Sequence, residues 1–328
     1  MSNAHMKRIL VTGAAGQIGS ELTLALREMY GNDNVVAAGH KTRPGEALRA
    51  TGPFEFIDVT RRETLEKVVV DYQIDTIYHM AAVLSVVGEE KPHVAWDVNI
   101  NGLRNVLEVA RQRELVRLFC PSSIAVFGPE TPRNNTPQET VLRPRTMYGV
   151  TKVSGELLCD YYVRRFGVDV RGVRYPGIIS SETLPGGGTT DYAVEIFYKA
   201  VEQAHYACFL RSDTVLPMMY MPDCIQASID LMQANFHQLT HHSDFNLAAF
   251  SFSPAQLAAE IQKHMPEFTC VYEPDSRQAI ADSWPRSIDD GAAREEWGWE
   301  PAYDLGAMTA DMLEKLSRRE AAGRLYPE

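Results

Sequence analysis

The sequence predicts an α/β protein: a doubly wound parallel sheet with a smaller C-terminal lobe. Three observations predict it. Short β-branched runs alternate with amphipathic helical stretches through the first half of the chain. The first of these runs leads at once into a glycine turn and a helix. The alternation then stops after Pro176-Gly177, where polar loops and looser segments begin.

Lys7 to Thr12 (KRILVT) reads as a buried strand, followed by Gly13-Ala14-Ala15-Gly16-Gln17-Ile18-Gly19 and a helix carrying Leu22, Leu26 and Met29. Glycines there let backbone approach a pyrophosphate, whose charge is met by amides and the positive end of the helix dipole. The second strand is Asn34 to Ala38. A carboxylate at its end would hold an adenosine ribose, but the chain reads Gly39-His40-Lys41-Thr42-Arg43, without an acid. Lys41 and Arg43 read either as contacts to a 2′-phosphate, leaving NADP open, or as a solvated basic loop. Phe54 to Val59 is the third strand. Its Asp58 suits either an adenine contact or the cap of a helix opened by a Thr60-x-x-Glu63 capping box.

Asp75 to Ala82 (DTIYHMAA) is the fourth strand, ending in small alanines, with His79 read as a core residue satisfied by a backbone partner. Val94 to Ala110 is helical in its apolar spacing, interrupted by Asn99 and Asn101, one of which is expected to bond a neighbouring loop. Val116 to Pro121 is the fifth strand, and Ser122-Ser123 emerge at its carboxyl end, the edge where open α/β sheets bind ligands. Tyr148 and Lys152 then stand four residues apart on a helix running to about Phe166, so they share one face. A phenol has an ordinary pKa of about 10, and a neighbouring cation favours its phenolate. The pair therefore suits proton abstraction from an alcohol.

Val168 to Tyr175 is the next strand. The loop Leu184 to Tyr192, rich in glycine, reads either as a lid or as a linker. Looser segments follow: helices from Ala193, Pro222, Pro254 and Leu305, and strands at Asp244 to Leu247 and Phe268 to Tyr272. The expected division is Met1 to His5 as a cloning remnant, 6–178 as a dinucleotide-binding domain and 179–328 as mainly a substrate-binding lobe. About 220–249 is expected to return to the first domain.

Composition narrows the function. The 45% hydrophobic and 23% charged fractions are those of an ordinary globular chain, and no stretch approaches the ~20 apolar residues of a membrane span. A net charge of −11 argues against a nucleic-acid surface. The five cysteines are scattered without a CxxC pair, as expected for reduced thiols in a cytoplasmic protein. His237, His241 and His242 lack an accompanying thiol or carboxylate motif, so no metal site is expected.

Taken together, Thr12-Gly13-x-x-Gly16-x-x-Gly19, Asp58-Val59, His79-Met80-Ala81-Ala82, Asn99, Ser122-Ser123 and Tyr148-x-x-x-Lys152 resemble the extended short-chain dehydrogenase/reductase family over essentially the whole chain. The resemblance implies a Rossmann-like fold. Arg174-Tyr175-Pro176-Gly177, the loop Gly186 to Ala193 and Trp284-Pro285-Arg286-Ser287-Ile288-Asp289-Asp290 are most similar to the branch that oxidises L-threonine at its 3-hydroxyl to 2-amino-3-ketobutyrate.

That resemblance implies Tyr148 as general base, Lys152 as its cationic partner and ribose contact, and Ser123, 25 residues before the tyrosine, as the residue orienting the hydroxyl. It implies NAD held by Gly13, Gly16, Gln17, Ile18, Gly19, Lys41, Asp58, Val59, Ala81, Ala82, Asn99, Tyr175 and Pro176 in addition to Tyr148 and Lys152. Ser85, Thr189, Thr190 and Trp284 join Ser123 and Tyr148 as substrate contacts, with Trp284 equally a core residue. A homodimer follows by family resemblance, against a monomer suggested by Arg104, Arg111, Arg164 and Arg165 on the helices concerned. Two rival readings are an NAD-dependent nucleotide-sugar epimerase or dehydratase, and a non-catalytic dinucleotide sensor, which the intact Tyr148 and Lys152 disfavour.

Overall fold

The computed structural model describes residues 6–184, 186 and 188–326. Met1 to His5, expected as a cloning remnant, lie outside the described residues, as do Pro185 and Gly187 of the glycine loop. The chain divides into two compact units. The first takes the chain up to Val126, Arg145–Arg174 and Ile225–Phe245; the second takes Phe127–Pro144, Tyr175–Cys224 and the chain from Asn246 onward.

In the first unit the elements run β1 (Ile9–Thr12), α1 (Gln17–Tyr30), β2 (Val35–Gly39), α2 (Glu46–Ala50), β3 (Phe54–Phe56), α3 (Arg62–Asp71) and β4 (Thr76–His79). They continue as α4 (Ser85–Glu90), α5 (Pro92–Trp96), α6 (Leu103–Gln112), β5 (Arg117–Phe119), β6 (Ser122–Ser123), α7 (Met147–Phe166) and β7 (Val170–Arg171). Six strands form one sheet in the order β3-β2-β1-β4-β5-β7, every neighbouring pair parallel. The chain winds outward from β1 in one direction and returns to β4 on its other side. That reversal opens a crevice at the carboxyl ends of β1 and β4.

Side chains alternate across the sheet, so Leu10, Val36, Ile77, Leu118 and Val170 share one face. They pack with Leu65, Val68, Val106, Leu107, Cys159 and Val163 from α3, α6 and α7 in a single buried cluster. Their β-branched and leucine content reflects a sheet covered by helices.

Several local expectations change. The Thr60 to Glu63 capping box does not form, because Thr60 Oγ1 donates instead to Asp58 Oδ1 at 2.7 Å and Glu63 pairs with Arg61 at 2.9 Å; α3 starts at Arg62. The expected helix Val94 to Ala110 is α5, a π-helical turn Asp97–Gly102, and α6. The expected strand Val168 to Tyr175 breaks at Gly172 into β7 and β8 (Val173–Tyr175). Arg171 O still accepts from Cys120 N in the main sheet, whereas Gly172 N donates to His242 O and Gly172 O accepts from Phe245 N. The returning segment thus captures the strand halfway.

The remaining elements are β9 (Gly177–Ile179), α8 (Tyr192–Gln203), β10 (His205–Cys208), β11 (Leu216–Tyr220), α9 (Met221–Gln233), β12 (Phe245–Asn246), β13 (Phe250–Phe252), α10 (Pro254–Gln262), β14 (Thr269–Tyr272), α11 (Arg277–Ala281), α12 (Gly291–Trp297) and α13 (Leu305–Ala321). Within the second unit, β11 pairs parallel with β9 and antiparallel with β13, while β10 and β14 form a separate parallel pair. Ser253 and Gln256 form a capping box at α10, with Pro254 in the first turn. Phe127–Pro144, expected within 6–178, belongs here because Thr136 N donates to Ser287 O and Asn135 N to Ser287 Oγ. Among the described residues no helix is long and apolar enough to cross a membrane.

Candidate active site

The glycine turn after β1 is shaped by Gly13, whose φ of +67° is left-handed and whose Cβ, if present, would lie 2.6 Å from Ala81 N. Only glycine fits that approach. Gly16 precedes α1 without a side-chain cap, and no acid occupies the first turn, so the positive helix end is left for an anion. In front of it lies a cleft of about 510 Å³, lined by Gly13, Gly16, Asp58, Val59, Ala81 and Ala82. Size, glycine approach and bare amides fit a dinucleotide pyrophosphate.

Other expected cofactor residues fall differently. Gln17, Ile18 and Gly19 form the first turn of α1. Lys41 is exposed and is not among the lining residues; its neighbours His40 and Thr42 are, a contact the sequence reading did not assign. Burial pushes the Asp58 carboxyl up, but the Thr60 hydroxyl and amide outweigh it and hold the group below its ordinary value.

Asn99 stands in the π-helical turn and is 8% exposed. Its Oδ1 accepts from Val83 N at 2.8 Å; its Nδ2 donates to Val83 O and to Thr151 Oγ1, both at 3.0 Å. It therefore ties the loop walling the cleft to α7. The expected loop contact is made by this asparagine, whereas Asn101 bonds Asp97.

On α7, Thr146 caps the helix by accepting from Gly149 N, so Tyr148 and Lys152 lie in its first two turns. Lys152 Nζ stands 5.5 Å from the Tyr148 ring centroid and donates to Pro121 O at 2.8 Å. The two serines after Pro121 are distinguished by their partners. Ser122 is buried and donates to Glu156 Oε1 at 2.5 Å. Ser123 is half-buried, and among the described residues its Oγ accepts only the Ala125 amide, at 3.2 Å, which leaves its proton to give.

Glu156 lies one turn beyond Lys152, and Arg174 grips its carboxylate with two bonds of 2.9 Å. Burial raises the Glu156 carboxyl, against the opposing pull of Arg174 and Ser122. Glu156 and Arg174 were not singled out in the sequence; the i, i+4 step from Lys152 was the available signal. His79 is buried, and its Nδ1 pairs with Thr12 Oγ1 at 2.8 Å, a side-chain rather than the expected backbone partner. Burial first, then the charge of Lys152, pushes this imidazole down to about 3, so it is neutral. His79, Asn99, Ser122, Thr151, Lys152 and Glu156 line one small chamber of about 30 Å³.

Of the expected substrate residues, Ser85 is buried at the start of α4 in the first unit. Tyr175, Pro176, Thr189, Thr190 and Trp284 belong to the second unit. There Thr189 is 1% exposed and its hydroxyl has no hydrogen-bond partner among the described residues. Thr190 O accepts from Ala193 N, and Trp284 is buried with its carbonyl accepting from Arg133 Nε at 3.2 Å.

A family model described as the NAD dependent epimerase/dehydratase family matches residues 9–248. An uncharacterized epimerase/dehydratase of Staphylococcus haemolyticus is 52% identical over 316 residues, covering 96% of this chain and 99% of the relative. Among solved structures, an L-threonine dehydrogenase from Clostridium difficile is similar at a TM-score of 0.94 and 52% identity, over 96% of this chain and 99% of that one. The holo form of a GalE-like L-threonine dehydrogenase from Cupriavidus necator matches at 0.91 and 52%, over 94% and 99%.

Proposed function

The chain belongs to the NAD-dependent epimerase/dehydratase family, and from that premise we propose that it oxidises L-threonine at its 3-hydroxyl to 2-amino-3-ketobutyrate with NAD. The observation that carries this reading is the Lys152 ammonium, 5.5 Å from the Tyr148 ring and bonded to Pro121 O two residues before Ser123, in a chain matched almost end to end by threonine dehydrogenases.

When bound, the nicotinamide ring supplies a hydride acceptor. The chain's own residues handle the proton. Tyr148, whose hydroxyl makes no hydrogen bond among the described residues, takes the substrate hydroxyl proton as general base. The Lys152 ammonium supplies positive charge beside the phenolate, and Pro121 O fixes where that ammonium sits. Ser123 donates to the substrate oxygen as it becomes a carbonyl; Ser122 is already committed to Glu156. Gly13, Gly16, Asp58 and the Ala81-Ala82 wall hold the cofactor; Tyr175 and Pro176 are assigned as further cofactor contacts.

We assign the substrate ammonium and carboxylate to Ser85, Thr189 and Thr190. The unpartnered buried hydroxyl of Thr189 supports its inclusion, because a buried hydroxyl without a partner costs about 1–3 kcal/mol. Trp284 is assigned as a further substrate contact. The enzyme is assigned to the cytoplasm, in line with its five free thiols. It is assigned as a homodimer through α7, whose Val150, Leu157 and Tyr161 are 40%, 67% and 52% exposed at i, i+7 and i+11 along one stripe.

The test is absorbance at 340 nm with L-threonine and each dinucleotide, run against Tyr148→Phe. Threonine-dependent reduction that disappears in the variant is expected. No signal with either cofactor refutes the assignment, and cofactor retained through purification would favour the epimerase or dehydratase reading.

A further inference from the structure

The start of α7 is held from outside the helix, by a residue with no place in the catalytic cluster. The first four amides of a helix have no acceptor within it. In α7 the Thr146 hydroxyl accepts from Gly149 N at 3.1 Å, and Met147 N, the amide immediately before Tyr148, donates to Glu89 Oε1 of α4 at 2.6 Å. The bond is short, as expected when a carboxylate accepts an N–H at the positive end of a helix dipole. Among the described residues the Glu89 carboxylate makes no other hydrogen bond and no ion pair, so this amide is its single polar partner. α4 turns one face to the same spot. Ser85, Gly88 and Glu89 stand at i, i+3 and i+4. Ser85 and Gly88 are buried, and a Cβ at Gly88 would lie 3.8 Å from Tyr148 N and 3.9 Å from Tyr148 Cβ. Lys152, by contrast, is fixed from the sheet side, by Pro121 O at 2.8 Å. Tyrosine and lysine are therefore anchored by different elements, and the 5.5 Å between ammonium and ring depends on both anchors.

We propose that Glu89 is a positioning residue for the proton transfer: by holding Met147 N it fixes the Tyr148 phenol against Lys152 and in register with Ser85. The proposal rests on the reading of Tyr148 as general base above. Helix ends fray, and Tyr148 is the second residue of α7, so releasing Met147 lets the phenol drift while Lys152 stays bonded to Pro121 O. One turn of α4 thus separates the serine assigned to the substrate from the glutamate that holds the base. The cofactor cleft is outside this linkage, because its described lining includes no residue of α4 or of the first turn of α7.

The experiment compares Glu89→Ala, which removes the acceptor, with Glu89→Gln, which keeps an amide oxygen at the same reach. Asp304→Ala is the control: Asp304 Oδ1 accepts from Ala307 N at 2.8 Å, the same kind of helix-start bond, at α13 in the second unit. Two readouts are taken on the full-length protein. The first is the NMR signal of tyrosine labelled with ¹³C at Cζ, the Tyr148 resonance being identified by its loss in Tyr148→Phe. The second is kcat and KM for L-threonine from absorbance at 340 nm, with reduced-cofactor affinity from quenching titration. Glu89→Ala is expected to shift or broaden the Tyr148 signal and to lower kcat by ~10–100-fold, as a small misplacement of a reacting group does, with cofactor affinity unchanged. Glu89→Gln should restore both readouts, and Asp304→Ala should leave both at parent values. An unmoved Tyr148 signal or an undiminished kcat in Glu89→Ala overturns the proposal. So does a glutamine variant that behaves like the alanine one, or an equal loss of kcat in Asp304→Ala, which would mark general loosening. A parent chain inactive with threonine would refute the assigned reaction instead, and the NMR comparison, which needs no substrate, would still decide whether Glu89 places Tyr148.

Discussion

Replacing Asn99 with alanine is the most searching perturbation of the link between cleft and catalytic helix. The asparagine makes three hydrogen bonds from a site 8% exposed, at 2.8, 3.0 and 3.0 Å. Each bond contributes about 0.5–1.5 kcal/mol net, and the Val83 amide and carbonyl have no replacement side chain, so a loss of about 3 kcal/mol is expected. Because Val83 lines the cofactor cleft, the loosened loop should also weaken dinucleotide binding by ~10-fold, about 1.4 kcal/mol. Urea unfolding gives the first quantity and quenching titration with reduced cofactor gives the second. Stability within about 0.5 kcal/mol of the parent would show that the π-helical turn does not depend on this side chain, and the reasoning would fall.

Ser123→Ala should cut turnover by ~10²-fold or more while leaving cofactor affinity unchanged, since it removes a donor aimed at developing charge. Ser122→Ala should instead cost about 1 kcal/mol of stability by freeing one Glu156 oxygen, a contrast read by steady-state kinetics and urea titration. His79 gives a pH signature. Its folded pKa, pushed down to about 3, lies below the ordinary 6.5, so its contribution is complete above pH 6.5 and is lost as pH falls toward 3. Each pH unit below 6.5 costs about 1.4 kcal/mol, so between pH 6.5 and 4.5 the parent should lose about 2–3 kcal/mol more than His79→Gln. Equal slopes in urea titrations would contradict this. Leu157→Glu should convert a dimer to monomers in sedimentation equilibrium without lowering thermal stability, because the side chain is 67% exposed in the isolated chain.

Much of the first unit was legible because its signals are local. A β-branched run, a glycine turn and an amphipathic helix are each dictated within a few residues, and β1, α1 and α7 fall close to where the pattern puts them. What escaped depends on partners distant in the chain. Thr60 and Glu63 carry a helix-start pattern, but Asp58 and Arg61 compete for those side chains. Gly172 splits one apparent strand because His242 and Phe245 return beside it. Strands such as β9 and β13 are three residues long, too short for alternation to register, and β10 pairs with β14 more than sixty residues away. At the site, Tyr148, Lys152 and Ser123 were visible as residue types at family spacing. The division of labour between the two serines was not, since it rests on Glu156 reaching one and leaving the other.

Tyr148, Lys152 and Glu156 follow one another at intervals of four along α7, so the proposed base, its proposed cationic partner and the anchor of the serine turn ride on a single stripe. Each residue advances a helix by about 100°, so inserting or deleting one residue between 148 and 156 would swing everything beyond it to another side of the helix. The lysine would lose Pro121 O, or the glutamate would lose Ser122 and Arg174. Length in this segment is therefore as constrained as residue identity. Descendants of this chain can vary their loops by insertion, but this nine-residue stretch can change only by substitution.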